Sequence, residues 1–165
     1  MHDNQKDTLV IWLKDAYAME QGIVEVLERQ IRQFDDMPDA QQKVKQHVAM
    51  TKGHAERVRD CIERLDEDIS RVKSGLANML GFMQGMSTTM AKDKIVKNAL
   101  ANYAIEHFEI ASYLSLATAA REIGYEDIAQ VCEEIVVEEQ EMANWLEQQI
   151  PIVTRQELLS IVYNE

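Results

Sequence analysis

Two prolines, two cysteines and six glycines in 165 residues leave few forced helix breaks and too few thiols for a disulfide framework or a thiolate metal cluster. Cys61 and Cys132 lack the CxxC spacing that a rubredoxin-like iron site needs, so electron transfer through such a site is excluded. Each instead falls on an apolar stripe, as a buried thiol in a reducing compartment does. Basic residues are scarce. Seventeen Lys and Arg against 29 Asp and Glu give a net charge of -12, which repels phosphate backbones and anionic lipid. Nucleic acid and membrane surfaces are therefore excluded as partners. No apolar run approaches 18 residues, and the opening MHDNQKD is polar and acidic rather than a basic lead into an apolar stretch. A cytoplasmic location is expected. Period-two alternation is also missing, which removes strands and leaves helix.

The helical period is present throughout. Leu9, Trp12, Ala16, Met19, Ile23, Val26, Leu27 and Ile31 predict one long amphipathic helix, over about 6–34. Val44, Val48, Thr51, Ala55, Val58, Ile62 and Leu65 predict a second, over about 39–67. Val96, Leu100, Tyr103, Ile110, Leu114 and Ala117 mark a third, over about 93–122, and Ile128, Val131, Ile135, Met142, Trp145 and Leu146 a fourth, over about 125–149. Short breaks at Pro38 and Gly124 make helices one and two, and three and four, antiparallel neighbours, while Pro151 is expected to end the fourth. The segment 68–92 is long enough to run the length of a bundle and to contain an extra helix. The expectation is a single all-α domain over residues 1–165, a ferritin-like four-helix bundle with one long crossover. Within the crossover, Gly81 and Gly85 among Met79, Met83 and Met86 form a small-residue face suited to close packing. The tail 151–165 carries Ile152, Val153, Leu158, Leu159, Ile161, Val162 and Tyr163, and is expected to pack on the bundle or on a second subunit.

Polar residues then interrupt the inner stripes. The first helix gives Glu20; the second His47, Thr51 and His54; the third Glu106, His107 and Glu109; the fourth Glu138 and Glu139, with Glu141 one turn beyond Glu138. Any one of these alone reads as a solvated face or a satisfied histidine. Folding each predicted hairpin about its turn, however, brings Glu20 level with Thr51 and His54, and Glu109 level with Glu139. Several carboxylates gathered in an apolar core cost several kcal/mol each unless protonated, paired or metal-bound. The stripes offer no Lys or Arg, so a cation is the simplest neutraliser, and Glu with His from four helices is the ligand set of di-iron and di-manganese bundles. Tyr103 and Tyr113 on the third helix are either core packing or donors to a carboxylate.

The stretches WLKDAYAME, QHVAMTKGHAERV, EHFEIASYLSLATAA and EEQEMANWL resemble, in order and spacing over about residues 8–150, the YciE/YciF family of bacterial ferritin-like stress proteins, most of all its YciE branch. The resemblance implies a rubrerythrin-like bundle, often dimeric, with a dinuclear metal site and, in some members, non-haem catalase-like activity. Carried across, it places metal ligands at Glu20, Glu106, Glu109 and Glu138, with Glu139 also matching. The family's helix-two pattern HLxET reads here His47, Val48, Ala49, Met50, Thr51, so a glutamate is replaced by Met50. His54, with His47 or Glu141, is expected to replace part of that missing ligand.

The function expected is peroxide or dioxygen chemistry at two iron or manganese ions, zinc also being tolerated by Glu and His, in a homodimer. The competing expectation is a metal-depleted, non-enzymatic bundle whose crossover and tail form an interaction surface. Met50 favours that alternative, and the remaining carboxylates oppose it.

Overall fold

A computed structural model describes residues 2–34, 38–69, 81 and 93–163. Four long helices and no strands occur among them: α1 (His2–Ile31), α2 (Pro38–Arg64), α3 (Lys94–Glu122) and α4 (Glu126–Tyr163), with a short 3-10 turn at Arg32–Phe34. The predicted extra helix and the Gly/Met face of the crossover fall outside the described residues, apart from Gly81.

Each helix buries the stripe its period dictates. Leu9, Leu13, Ala16, Ile23 and Leu27 of α1 meet Val48, Val58 and Ile62 of α2, and Ile105, Tyr113 and Leu116 of α3 meet Ile128, Ile135 and Val136 of α4. A fully buried Leu or Ile contributes about 1.5–3 kcal/mol, so these stripes fix which faces turn inward. α1 with α2 and α3 with α4 form the two closely packed hairpins. α1 then packs on α3, and α2 on α4, to close the bundle.

Polar crossings set the register between hairpins. Gln30 and Asn102 exchange reciprocal amide hydrogen bonds at 3.2 and 2.9 Å in the α1–α3 seam, with Asn98 donating to Gln33 at 2.7 Å nearby. In the α2–α4 seam Arg57 meets Glu134 at 3.9 Å and Arg64 meets Asp127 at 3.2 Å. Both seams are antiparallel, so α2 ends at the opposite end of the bundle from the start of α3. That is the arrangement a long crossover serves.

Two helices finish with the same paired backbone bonds. At the end of α3, Tyr125 N–H donates to Ala120 and Gly124 N–H to Arg121, with Gly124 at φ +88°. At the end of α2, Glu67 N–H donates to Ile62 and Asp66 N–H to Glu63, with Asp66 at φ +59°. Glycine takes that left-handed conformation without strain, whereas aspartate must be held in it.

One boundary departs from expectation. α4 continues through Pro151 to Tyr163 instead of ending near residue 149. Proline removes only one backbone bond here, and both Pro151 and Glu147, whose carbonyl loses its partner, are exposed to water. Thr154 donates its hydroxyl to the Ile150 carbonyl at 2.7 Å, a bond that tolerates a bend. The tail is a continuation of α4 rather than a separate segment: Ile152 and Val153 line a cavity with Phe34, Val44 and Ile95, and Leu158 and Leu159 are exposed.

Candidate metal centre

The middle of the bundle carries the charge that the stripes foretell. Glu20 lies on α1 between Ala16 and Ile23; His47 and His54 lie two turns apart on α2; Glu106 and Glu109 lie on α3; Glu139 lies on α4 between Ile135 and Met142. All six are buried. Five of them form two groups of three, Glu20 with His54 and Glu139, and His47 with Glu106 and Glu139, and Glu109 stands beside both. Within each group, one ligand atom from every residue lies within 4.8 Å of the others. Glu139 belongs to both.

The spacings are those of ligand atoms converging on shared points. His54 Nδ1 lies 2.6 Å from Glu139 Oε1 and 3.9 Å from Glu20 Oε1, and His47 Nε2 lies 3.3 Å from Glu106 Oε1. Yet eight buried side-chain atoms have no hydrogen-bond partner, and among the described residues every such atom belongs to this layer: Glu20 Oε2, His47 Nε2, His54 Nδ1, Glu106 Oε2, both Glu109 oxygens and both Glu139 oxygens. Buried polar atoms are nearly always paired, because each orphan costs about 1–3 kcal/mol. Apart from His54 and Glu139, whose 2.6 Å contact a proton can bridge, these atoms crowd together with no donor between them, an arrangement that a cation satisfies. Adjacent donors on an octahedral ion with bonds of about 2.1 Å lie about 3 Å apart, so these residues fit a metal, and they could hold one in either group.

Outer partners orient the inner ones. His54 Nε2 lies 2.8 Å from Glu138 Oε2, and Arg57 donates to the same oxygen at 2.6 Å. With Glu138 accepting at Nε2, the Nδ1 lone pair of His54 faces Glu20 and Glu139. On the other side Tyr113, fully buried, donates its hydroxyl to Glu20 Oε1.

Electrostatics report the same shortage of positive charge. Burial pushes the Glu20 carboxyl up to about 8, against the pull of His54. Burial, reinforced by neighbouring carboxylates, also raises Glu106 and Glu109 well above the usual range. Burial lowers His47 to about 4. For His54, burial opposes charge, but contact with Glu139 and the Glu20 charge prevail and raise it. Burial likewise opposes ionisation of Glu139, and contact with His54 overrides it downward. Glu138 behaves in the same way through Arg57 and His54. Without a cation, burial and mutual repulsion favour protons on Glu20, Glu106 and Glu109, while the contact between His54 and Glu139 favours charge on both.

Of the residues the sequence singles out, Glu20, His47, His54, Glu106 and Glu109 come together in this layer. Glu138 does not join them. It stands at the rim, its side chain 36% exposed, as the partner of His54 and Arg57, and its neighbour Glu139 takes the inner position. The signal for Glu139 is in the sequence: it follows Ile135 by four residues and precedes Met142 by three. Val131 and Trp145, half-buried on the flank of α4, pull the apparent stripe towards Glu138. His107 points outward and meets Tyr103 edge-on at 4.5 Å, and Glu141 is exposed. Met50 is half-buried beside the buried face of His47, Thr51 and His54, and neither donor group requires it.

A protein family described as a domain of unknown function, DUF892, matches residues 4–159. Protein YciF of Escherichia coli strain K12 is 28% identical over 138 residues, 81% of this chain and 82% of that protein. Among solved structures, a protein from Xanthomonas campestris pv. campestris is similar at 30% identity with a TM-score of 0.78, over 94% of this chain and 97% of that one. The structure of the E. coli stress protein YciF is similar at 25% identity with a TM-score of 0.79, over 92% and 97%.

Proposed function

The chain belongs to the DUF892 family and is similar to the stress protein YciF, and from that premise we propose that it binds two iron or manganese ions and acts on peroxide or dioxygen. The observation that carries this reading is the sharing of Glu139 by two donor groups. Four buried carboxylates and two neutral imidazoles balance two divalent cations, whereas one cation would leave two carboxylates uncompensated. Hard oxygen and imidazole donors without a thiolate favour iron or manganese and tolerate zinc. Such a pair, when bound, supplies the redox cycling that peroxide disproportionation or reduction requires.

The remaining work falls to the chain. Glu20 with His54 would hold one ion and Glu106 with His47 the other, Glu139 being open to both groups, and Glu109 would offer two further oxygens to the same space. Tyr113 fixes one oxygen of Glu20. Glu138, anchored by Arg57, turns His54 so that Nδ1 faces inward. The apolar stripes above and below keep bulk water from the layer.

A stress role follows the likeness to YciF, and reduced buried thiols suit the cytoplasm. The partner we assign is a second copy. α4 beyond residue 153 outruns both α2 and α3, and exposes Leu158 and Leu159 on a stretch whose Arg155 and Glu157 cancel, in a chain of net charge -12. Two such extensions can meet without the repulsion that the rest of the surface imposes.

Elemental analysis of untagged protein tests the site. About two equivalents of iron or manganese, lost in Glu139→Ala, support it; protein that stays empty after anaerobic Fe(II) or Mn(II) is supplied overturns it. Peroxide consumption by the filled protein then tests the chemistry.

A further inference from the structure

The one other pair of chemically reactive side chains buried in the α2–α4 seam is Cys61 and Cys132. Both are free thiols, almost wholly buried. Between the Arg57–Glu134 and Arg64–Asp127 crossings the two helices hold a constant antiparallel register, and it sets Cys61 beside Cys132 to within about two residues. α2 and α4 also approach within 8 Å between Cα atoms, close enough for facing small side chains to meet. A negative charge on Cys61 is felt at Cys132, which marks the two sulfurs as neighbours.

Their position relative to the carboxylate layer is specific. Cys61 follows His54 by seven residues on α2, and Cys132 precedes Glu139 by seven on α4. Because the helices are antiparallel, both steps run the same way, and both thiols lie two turns, about 10 Å, from the layer. Tyr113 spans that interval on α3. It lies one turn beyond Glu109 and reaches back to donate its hydroxyl to Glu20. A helical tyrosine leans towards the N-terminus of its own helix, here towards the layer.

We propose that Cys61 and Cys132 are a built-in two-electron donor for peroxide reduction at the layer, closing to an intramolecular disulfide. This rests on the peroxide reading above and supplies the reductant that reading leaves open. The balance is complete. The two thiols form one S–S bond and release two electrons and two protons; peroxide accepts them, its O–O bond breaks, and two waters leave. Because both sulfurs are buried, an external dithiol would reduce the disulfide by exchange when the α2–α4 seam opens.

The surroundings suit a donor of this kind rather than a peroxidatic cysteine. Burial pushes the thiols up to about 11 and about 12, so neither presents the exposed thiolate that attacks free peroxide. Oxidation is thereby confined to protein whose layer is filled.

The test uses the full chain filled with Fe(II) under anaerobic conditions and given two equivalents of hydrogen peroxide, one for the two Fe(II) and one for the two thiols, quenched in acid and alkylated under denaturing conditions. Free thiols should fall from two to none with a mass loss of 2 Da, while metal-free protein treated alike keeps both. Cys61→Ser and Cys132→Ser, with Cys61→Ala as a second variant should serine disturb the core, should form no disulfide within the chain. Tyr113→Phe should slow closure. Filled protein that consumes peroxide with both thiols intact overturns the donor role and leaves the peroxide reading standing. Loss of thiols in metal-free protein overturns it as well, by direct thiol oxidation. Filled protein that consumes no peroxide overturns the reading on which the proposal rests.

Discussion

At the scale of single residues, the buried layer makes stability depend on pH in a direction set by its neighbours. Glu20, raised to about 8, and Glu106 and Glu109, raised with it, stabilise the metal-free fold below their unfolded value near 4.5, and that contribution is lost as pH rises through the folded value. His54, also raised, acts in the same direction. His47, lowered to about 4, adds a loss on the acid side below 6.5, and Glu138 and Glu139, lowered, do the same below the carboxylate range. Metal-stripped protein should therefore lose on the order of 10 °C in Tm between pH 5 and 8, and Mn(II) should restore it most at pH 8. Calorimetry across that range, with and without metal, reads this directly. The two adjacent glutamates of α4 should separate in the same assay. Glu138→Gln, at the rim, should weaken metal binding about 10–100-fold, the range for outer partners of a ligand, and Glu139→Gln should weaken it more, as titration calorimetry would record. The buried level itself was legible, with Glu20, His47, His54, Glu106 and Glu109 on it, because it crossed four stripes. The exchange of Glu138 for Glu139 was not, since adjacent residues differ by only 100° and half-buried Val131 and Trp145 blur the centre of the stripe.

At the scale of elements, the helix ends carry measurable strain. Asp66 caps α2 at φ +59°, where Gly124 caps α3 without cost. Asp66→Gly should add about 0.5–1 kcal/mol, about 1–4 °C in Tm, provided the Schellman bonds at Ile62 and Glu63 remain. Pro151→Ala should leave the global Tm nearly unchanged, because the bundle ends there, and should raise hydrogen-exchange protection in the following turns. Helix existence and order were readable from period and punctuation. The continuation of α4 was not: a proline ordinarily stops a helix, and whether the carbonyl it strands can reach water depends on neighbours that only the assembled bundle defines.

At the scale of the whole molecule, the projecting end of α4 should govern assembly. Leu158→Ser with Leu159→Ser should convert a dimer to a monomer in sedimentation, with helicity and metal content retained; an unchanged mass would assign the contact elsewhere. The pairing of hairpins was legible from loop lengths, and the projection was hidden because it depends on where α2 and α3 begin. The central layer has a consequence of its own. Glu20 with His54 comes from one hairpin and Glu106, Glu109 and Glu139 from the other, so a bound cation is also a clasp between two halves that otherwise meet along thin seams. A ligand that binds only the closed form adds stability in proportion to the logarithm of its concentration over Kd. When metal is short, the halves should part more often and expose their stripes to proteases. The amount of this protein in a cell should then rise and fall with the metal supply, with no change in how often its gene is read.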